Sequence, residues 1–204
     1  MSQRRGLLAF AAAVFVGHHV PAYSGDFGTW LDLATPFLVL GVAAWALRGA
    51  PGAVVATALV GGILYADGHG IHLSANDVGH EQLSGHAEDV RHFWDERFGH
   101  IEWHLGWLVL LVAFCLADRR AARLGRVDAL AGLVLGWSLF TNTVEGGDWG
   151  LTLAAAPLFV VWALARPRPT TTAVAGAAVL GSALIAIWAI WQGGVPQFSD
   201  VGWL

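Results

Sequence analysis

The sequence predicts an all-α integral membrane protein: a seven-transmembrane-helix bundle with its N-terminus cytoplasmic and its C-terminus extracytoplasmic. Of the 204 residues, 56% are hydrophobic and only 13% are charged, about half the roughly 25% charge of an ordinary soluble domain. Apolar stretches near the ~20 residues needed to cross a bilayer recur along the whole chain, leaving no room for a separate soluble domain. The charges also sort by connection. Nine of the eleven arginines precede the first apolar stretch or fall in the second, fourth and sixth connections; only Arg91 and Arg97 fall elsewhere. That alternation is a positive-inside pattern and expects a multi-pass protein of the cell membrane, with the lipid bilayer as its first partner.

Spans are expected at roughly 6–23, 29–48, 53–75, 99–117, 127–146, 150–166 and 171–192, all in one domain, 1–204. The first follows Arg4-Arg5 and ends in His18-His19-Val-Pro. Two histidines and a proline sit poorly in a leader's cleavage region, so a retained span is expected. Arg48-Gly-Ala-Pro-Gly closes the second, and Arg166-Pro-Arg-Pro closes the sixth. Proline lacks the amide proton a helix interior needs, so both read as turns. The third runs through GGILYADGHGIHLSAND. It is followed by an extracytoplasmic connection, 76–98, that is polar and partly helical in pattern. HIEWHLGW opens the fourth and leads into the uncharged LVLLVAFCLA. The fifth ends TNTVEGGDWG, with Gly146-Gly147 stopping the helix. The Ala/Gly-rich seventh permits close helix contacts.

Thirteen of the fifteen acids and all nine histidines fall on the side opposite the arginine-rich connections. This lopsidedness points to a polar site at the extracytoplasmic end. The inner halves of the spans carry few polar groups beyond Thr57, Ser138 and Ser182, which argues against a path across the membrane. With no lysine, a retinal Schiff base is excluded. The single cysteine, Cys115, lies in an apolar run and excludes an internal disulfide or a Cys-rich zinc or iron–sulfur site. No nucleic-acid partner is expected.

Each residue of a helix turns the direction by about 100°. Tyr65, His69, His72 and Asn76 then share a face within roughly 60°, while Asp67 points away. Glu96, His100, His104 and Trp107 form a second stripe, from which Glu102 faces away. A hairpin-like connection brings these helix ends together, and neutral imidazole ligates zinc, iron and copper. The expected ligands of a divalent metal ion are therefore His69, His72, His100 and His104, with Glu145 and Asp67 as catalytic carboxylates. His18, Glu96, Glu102, Asn142 and Asn76 are secondary candidates, with His19 and Asp32 in reach of the same depth. A carboxylate such as Glu145 just inside an apolar span costs a few kcal/mol unless paired. His80, His86 and His92 read as interfacial or loop histidines. Glu81, Glu88, Asp89 and Asp95 read as a solvated loop face. Trp30, Trp94, Trp103, Trp107, Trp149 and Trp203 read mostly as an interfacial belt, with Trp103 and Trp107 also able to wall a pocket.

The expected chemistry is that of a zinc hydrolase acting on a lipid or other amphiphilic substrate: an open metal position binds water and lowers its pKa toward ~7. GIHLSAND sets His72, Ser74 and Asp77 close together, and HIEWH supplies the HxxxH pair His100 and His104. In this respect the chain resembles the seven-helix metal-hydrolase superfamily of alkaline ceramidases and adiponectin-receptor-like proteins, which use three histidines with nearby Asp and Ser. In that superfamily the HxxxH pair lies in the last helix, whereas here it opens the fourth span. The resemblance implies zinc, favoured here over iron, and hydrolysis. Three alternatives stay open: a non-haem iron oxidoreductase, a haem held by His18 with His69 or His104, and a proton- or metal-handling transporter or sensor.

Overall fold

Every apolar stretch forms a helix in the computed structural model, which describes residues 3–24, 27–79, 83–119 and 123–203. The helices are α1 (Gln3–Ala22), α2 (Gly28–Ala46), α3 (Gly52–Gly79), α4 (His86–Ala117), α5 (Arg126–Glu145), α6 (Gly150–Ala165) and α7 (Pro169–Gln192), followed by a 3-10 turn at Ser199–Val201. No strand occurs among the described residues. His80, Glu81 and Arg120 lie outside the described residues.

Five of the seven, α2, α3, α4, α5 and α7, are long and apolar enough to cross a membrane. The two exceptions have physical reasons. At 16 residues, α6 reaches only about 24 Å, short of the ~30 Å hydrocarbon core. The 20 residues of α1 include arginines at one end and His18, His19 and Pro21 at the other, which dilute its apolar run. Both helices still pack into the bundle. Leu7, Phe10, Ala11 and Val14 of α1 are wholly enclosed, with Phe10 against Phe114 of α4 at a ring separation of 4.8 Å.

Most of the connection 76–98 is itself helical: α3 continues to Gly79, and α4 begins at His86, thirteen residues before the expected start. Gly85, at φ +58°, takes a backbone conformation that only glycine adopts readily and lets α4 start there. Arg91 then braces the new turns, bonding Glu88 one turn back and Asp95 one turn ahead. The guanidinium holds the Glu88 carboxyl below its ordinary range.

The contact that organises the site is between α3 and α4. Gly61 and Gly68 lie seven residues apart on α3, and so do Gly99 and Gly106 on α4. A Cβ at Gly68 would collide with the Trp103 backbone nitrogen and come within 2.7 Å of the Gly99 carbonyl. At Gly106 it would collide with the Tyr65 nitrogen and approach the Gly61 carbonyl to 2.7 Å. The two helices therefore touch backbone to backbone, as small residues allow in membrane bundles.

After α7, Gly193 (φ +71°) reverses the chain, and residues 195–203 return across the ends of α5 and α7. Trp188 Nε1 donates to the Pro196 carbonyl at 2.9 Å, and Phe198 packs among Phe140, Val144, Ile185 and Trp188.

Replacing Gly106 by alanine should lower the thermal stability of the purified protein by about 1–3 kcal/mol through overpacking. Gly70→Ala, where a Cβ meets nothing within 4 Å, should be neutral or stabilising by up to about 1 kcal/mol. Paired melting curves in one detergent measure the difference.

Candidate metal centre

Five imidazoles from three helices surround one indole. Trp103 of α4 lies with its ring centre 4.5 Å from that of His69, 4.7 Å from His18 and 5.0 Å from His104. His72 follows at 5.5 Å and His100 at 5.9 Å. The glycine contact produces this crowding, because Gly68 lets the α4 backbone at Trp103 rest directly on α3. The four histidines expected as ligands form a row along the seam, with ring separations of 6.4 Å for His69–His72, 4.3 Å for His72–His100 and 6.0 Å for His100–His104. The middle of the row is tightest. There His72, His100 and Asp95 each offer a ligand atom, all within 4.8 Å of one another.

Three histidines are held by carboxylates. His69 Nε2 donates to Asp32 at 3.0 Å, His72 Nδ1 to Asp95 at 2.6 Å and His104 Nδ1 to Asp148 at 2.7 Å. A carboxylate only accepts, so the facing nitrogen carries the proton and the other nitrogen of a neutral ring keeps a lone pair; at the His72–Asp95 contact a cation would displace that proton to reach both groups. Metal-binding histidines are usually oriented in this way. His69 Nδ1 and His104 Nε2 are buried and have no hydrogen-bond partner among the described residues. His100 Nδ1 sits 3.6 Å from Glu96 Oε2, beyond hydrogen-bond length. Burial pushes the Asp148 carboxyl up from its ordinary range, with the His104 bond pulling the other way. His18 Nε2 lies 2.9 Å from the Tyr65 hydroxyl, and His19 Nε2 lies 3.1 Å from the Thr141 hydroxyl.

Asp95 departs most from the solvated position expected of it: it is 2% exposed. The cause is local winding. Residues Phe93–Gly99 of α4 form a π-helical segment, in which bonds run to the fifth residue. Asp95 and His100 are five apart, and α-helical winding would separate them by about 140°. The π segment brings them to one side. Asp95 Oδ2 also accepts from Arg91 at 2.8 Å, while Arg91 grips both oxygens of Glu88. The guanidinium charge is thus balanced by Glu88, and Asp95 retains lone-pair directions beside His72.

The middle of the row opens on a cavity of about 640 Å³ whose polar lining includes His18, Asp32, His72, Asp95, Glu96 and His100. Its walls include Trp137, Phe140, Phe198 and Trp203. Glu145 lines the same cavity, but its Oε2 accepts the backbone amides of Phe198 (2.7 Å) and Ser199 (3.2 Å). Gln197 donates to Glu96 at 2.9 Å. Asn76 is also in the lining, and Asn142 turns its amide to the Ser138 carbonyl. Asp67 is exposed on the far face of α3, close enough to Glu102 for their charges to interact; neither residue lines the cavity. Ser74 donates to the Gly70 carbonyl of its own helix, and Asp77 is in the cavity lining. His86 and His92 are exposed on the first turns of α4. Trp103 and Trp107, at 6% and 0% exposure, are core residues, whereas Trp30 and Trp203, at 68% and 54%, are not.

Asp148→Ala leaves the His104 N–H without its acceptor and should cost about 1–3 kcal/mol of stability. Asp148→Asn, which keeps a carbonyl oxygen for that N–H, should retain most of it. Thermal melts of the two variants against the parent check the assigned tautomer.

No protein-family model, curated protein or solved structure matches the chain, so what this centre does is read from its own geometry.

Proposed function

We propose that the chain is a multi-pass membrane metalloprotein in which His72, Asp95 and His100 bind one divalent cation and hydrolyse a lipid or similar amphiphile. The observation that carries this reading is the convergence of those three ligand atoms on the wall of a cavity with a polar lining and aromatic sides. Two imidazole nitrogens and a carboxylate oxygen make the donor set of catalytic zinc sites that keep a fourth position open. The same donors also suit non-haem iron. Trp103 lies against both His72 and His100, which leaves approach to them from the cavity side. The indole also occupies the ground between His18 and His69 that a porphyrin would need.

A bound zinc would supply a water with pKa near ~7. Glu96, beside His100 and steadied by Gln197, is the carboxylate placed to take that water's proton. Hydrolysis would join that water's oxygen to the acyl or phosphoryl centre, and the alcohol would depart with the proton that Glu96 had taken. Glu145 serves mainly to hold the C-terminal turn, and Asp67 stands outside the cavity. A volume of about 640 Å³ is within the usual range for small-molecule sites and accommodates a headgroup with the first part of a chain. The arginine distribution favours the extracytoplasmic side for this site.

Elemental analysis of protein purified without chelators should find close to one metal ion per chain. His72→Ala, Asp95→Ala and His100→Ala should each lose it, and His86→Ala should keep it. A metal-free parent would overturn the reading. Glu96→Gln should retain the metal yet slow hydrolysis of a long-chain ester by about 100-fold or more, measured as turnover in mixed micelles.

A further inference from the structure

We propose that the opposite end of the bundle carries a second site, which binds the phosphate headgroup of an anionic phospholipid. A cavity of about 670 Å³ lies there between the end of α4 and the turn joining α6 to α7. Four arginines line it: Arg119 and Arg123, which flank the α4–α5 connection, and Arg166 and Arg168 of the α6–α7 turn. One carboxylate, Asp118, is also in the lining, and it accepts the Thr170 amide at 2.9 Å, fixing the first turn of α7. The guanidinium of Arg168 donates to the Arg119 carbonyl at 3.1 Å, which ties the two arginine-bearing segments together.

Against the four arginines the lining sets one carboxylate, Asp118, so an excess of positive charge faces the hollow and favours an anion there. A guanidinium presents parallel N–H donors that match two oxygens of a carboxylate or a phosphate at once, and a phosphate, with more oxygens than a carboxylate, can meet more than one of the four arginines. The remaining walls decide between a free anion and a lipid. Leu116, Trp162 and Ala165 close the cavity on its apolar side, and beyond them α6 exposes Leu158, Val161 and Leu164. A headgroup seated among the arginines can therefore run its chains down an apolar helix face, as anionic lipids do in basic pockets between membrane helices. The site shares no residue with the histidine cavity and does not depend on the chemistry proposed there.

The test uses the full chain in neutral-detergent micelles, titrated with fluorescent phosphatidic acid, fluorescent phosphatidylcholine and inorganic phosphate. Phosphatidic acid should bind at least tenfold more tightly than phosphatidylcholine, and inorganic phosphate should compete only weakly. The double variant R166Q/R168Q should lose at least tenfold in affinity for phosphatidic acid, and R119Q/R123Q, on the other wall, should do the same. Each is compared after a melting curve shows it to be folded. Arg48→Gln, at a different turn where the guanidinium lies over Trp45, should bind like the parent. Equal affinity for the two lipids, or folded double variants that bind phosphatidic acid like the parent, would overturn the proposal. Inorganic phosphate binding as tightly as the lipid would replace the lipid with a free anion.

Discussion

The absence of side chains at four glycines is the constraint on which the histidine end depends. Ordinary helix pairs keep their axes 8–10 Å apart, with the spacing set by the side chains between them. On α3 and α4 the contact row contains Gly61, Gly68, Gly99 and Gly106, so backbone meets backbone. Larger groups on these helices are displaced to the flanks of the seam. On one flank, five imidazoles and the Trp103 indole fill the same few ångströms of depth. A wider seam would leave the same residues as separate polar side chains on separate helices.

Polar groups inside an apolar bundle must answer each other. An unpaired charge or donor there costs far more than the same group in water. The pairs Asp32–His69, Asp95–His72 and Asp148–His104 meet that demand across four segments of the chain. Each pair leaves its second imidazole nitrogen uncommitted to that carboxylate, and two of those nitrogens are enclosed. The histidine end thus combines fixed ring orientation with spare lone pairs. The other end is built on the opposite sign, with arginines gathered around a hollow.

Much of the helical order was legible because it depends on the length of apolar runs, which needs no partner to be read. The faces Tyr65–His69–His72 and His100–His104 were legible for a similar reason, since regular α winding holds along those stretches. Asp95 was hidden because its place depends on irregular winding, and in sequence it belongs to a run of acids that reads as solvated. Asp148 lies 44 positions from His104 and Asp32 lies 37 from His69, so nothing local marks either pairing. Glu145 stands out in the sequence as an acid just inside an apolar span, but its partners are backbone amides of a C-terminal turn, which carry no side-chain signature. Seven apolar stretches give seven helices, of which five are long and apolar enough to cross a membrane; α6 is apolar but shorter, and α1 is long but more polar.

The π segment at Phe93–Gly99 winds one residue more into α4 than regular turns would need on that face. Wound regularly, Asp95 and His100 would sit about 140° apart; with one residue removed between them they would be four apart and share a face within about 40°. The irregular turn therefore absorbs an extra residue without turning Asp95, Arg91 and Glu88 away from His100. A one-codon deletion within it leaves that pairing in place, so the length of this segment is free to vary by one residue while the face it presents is not.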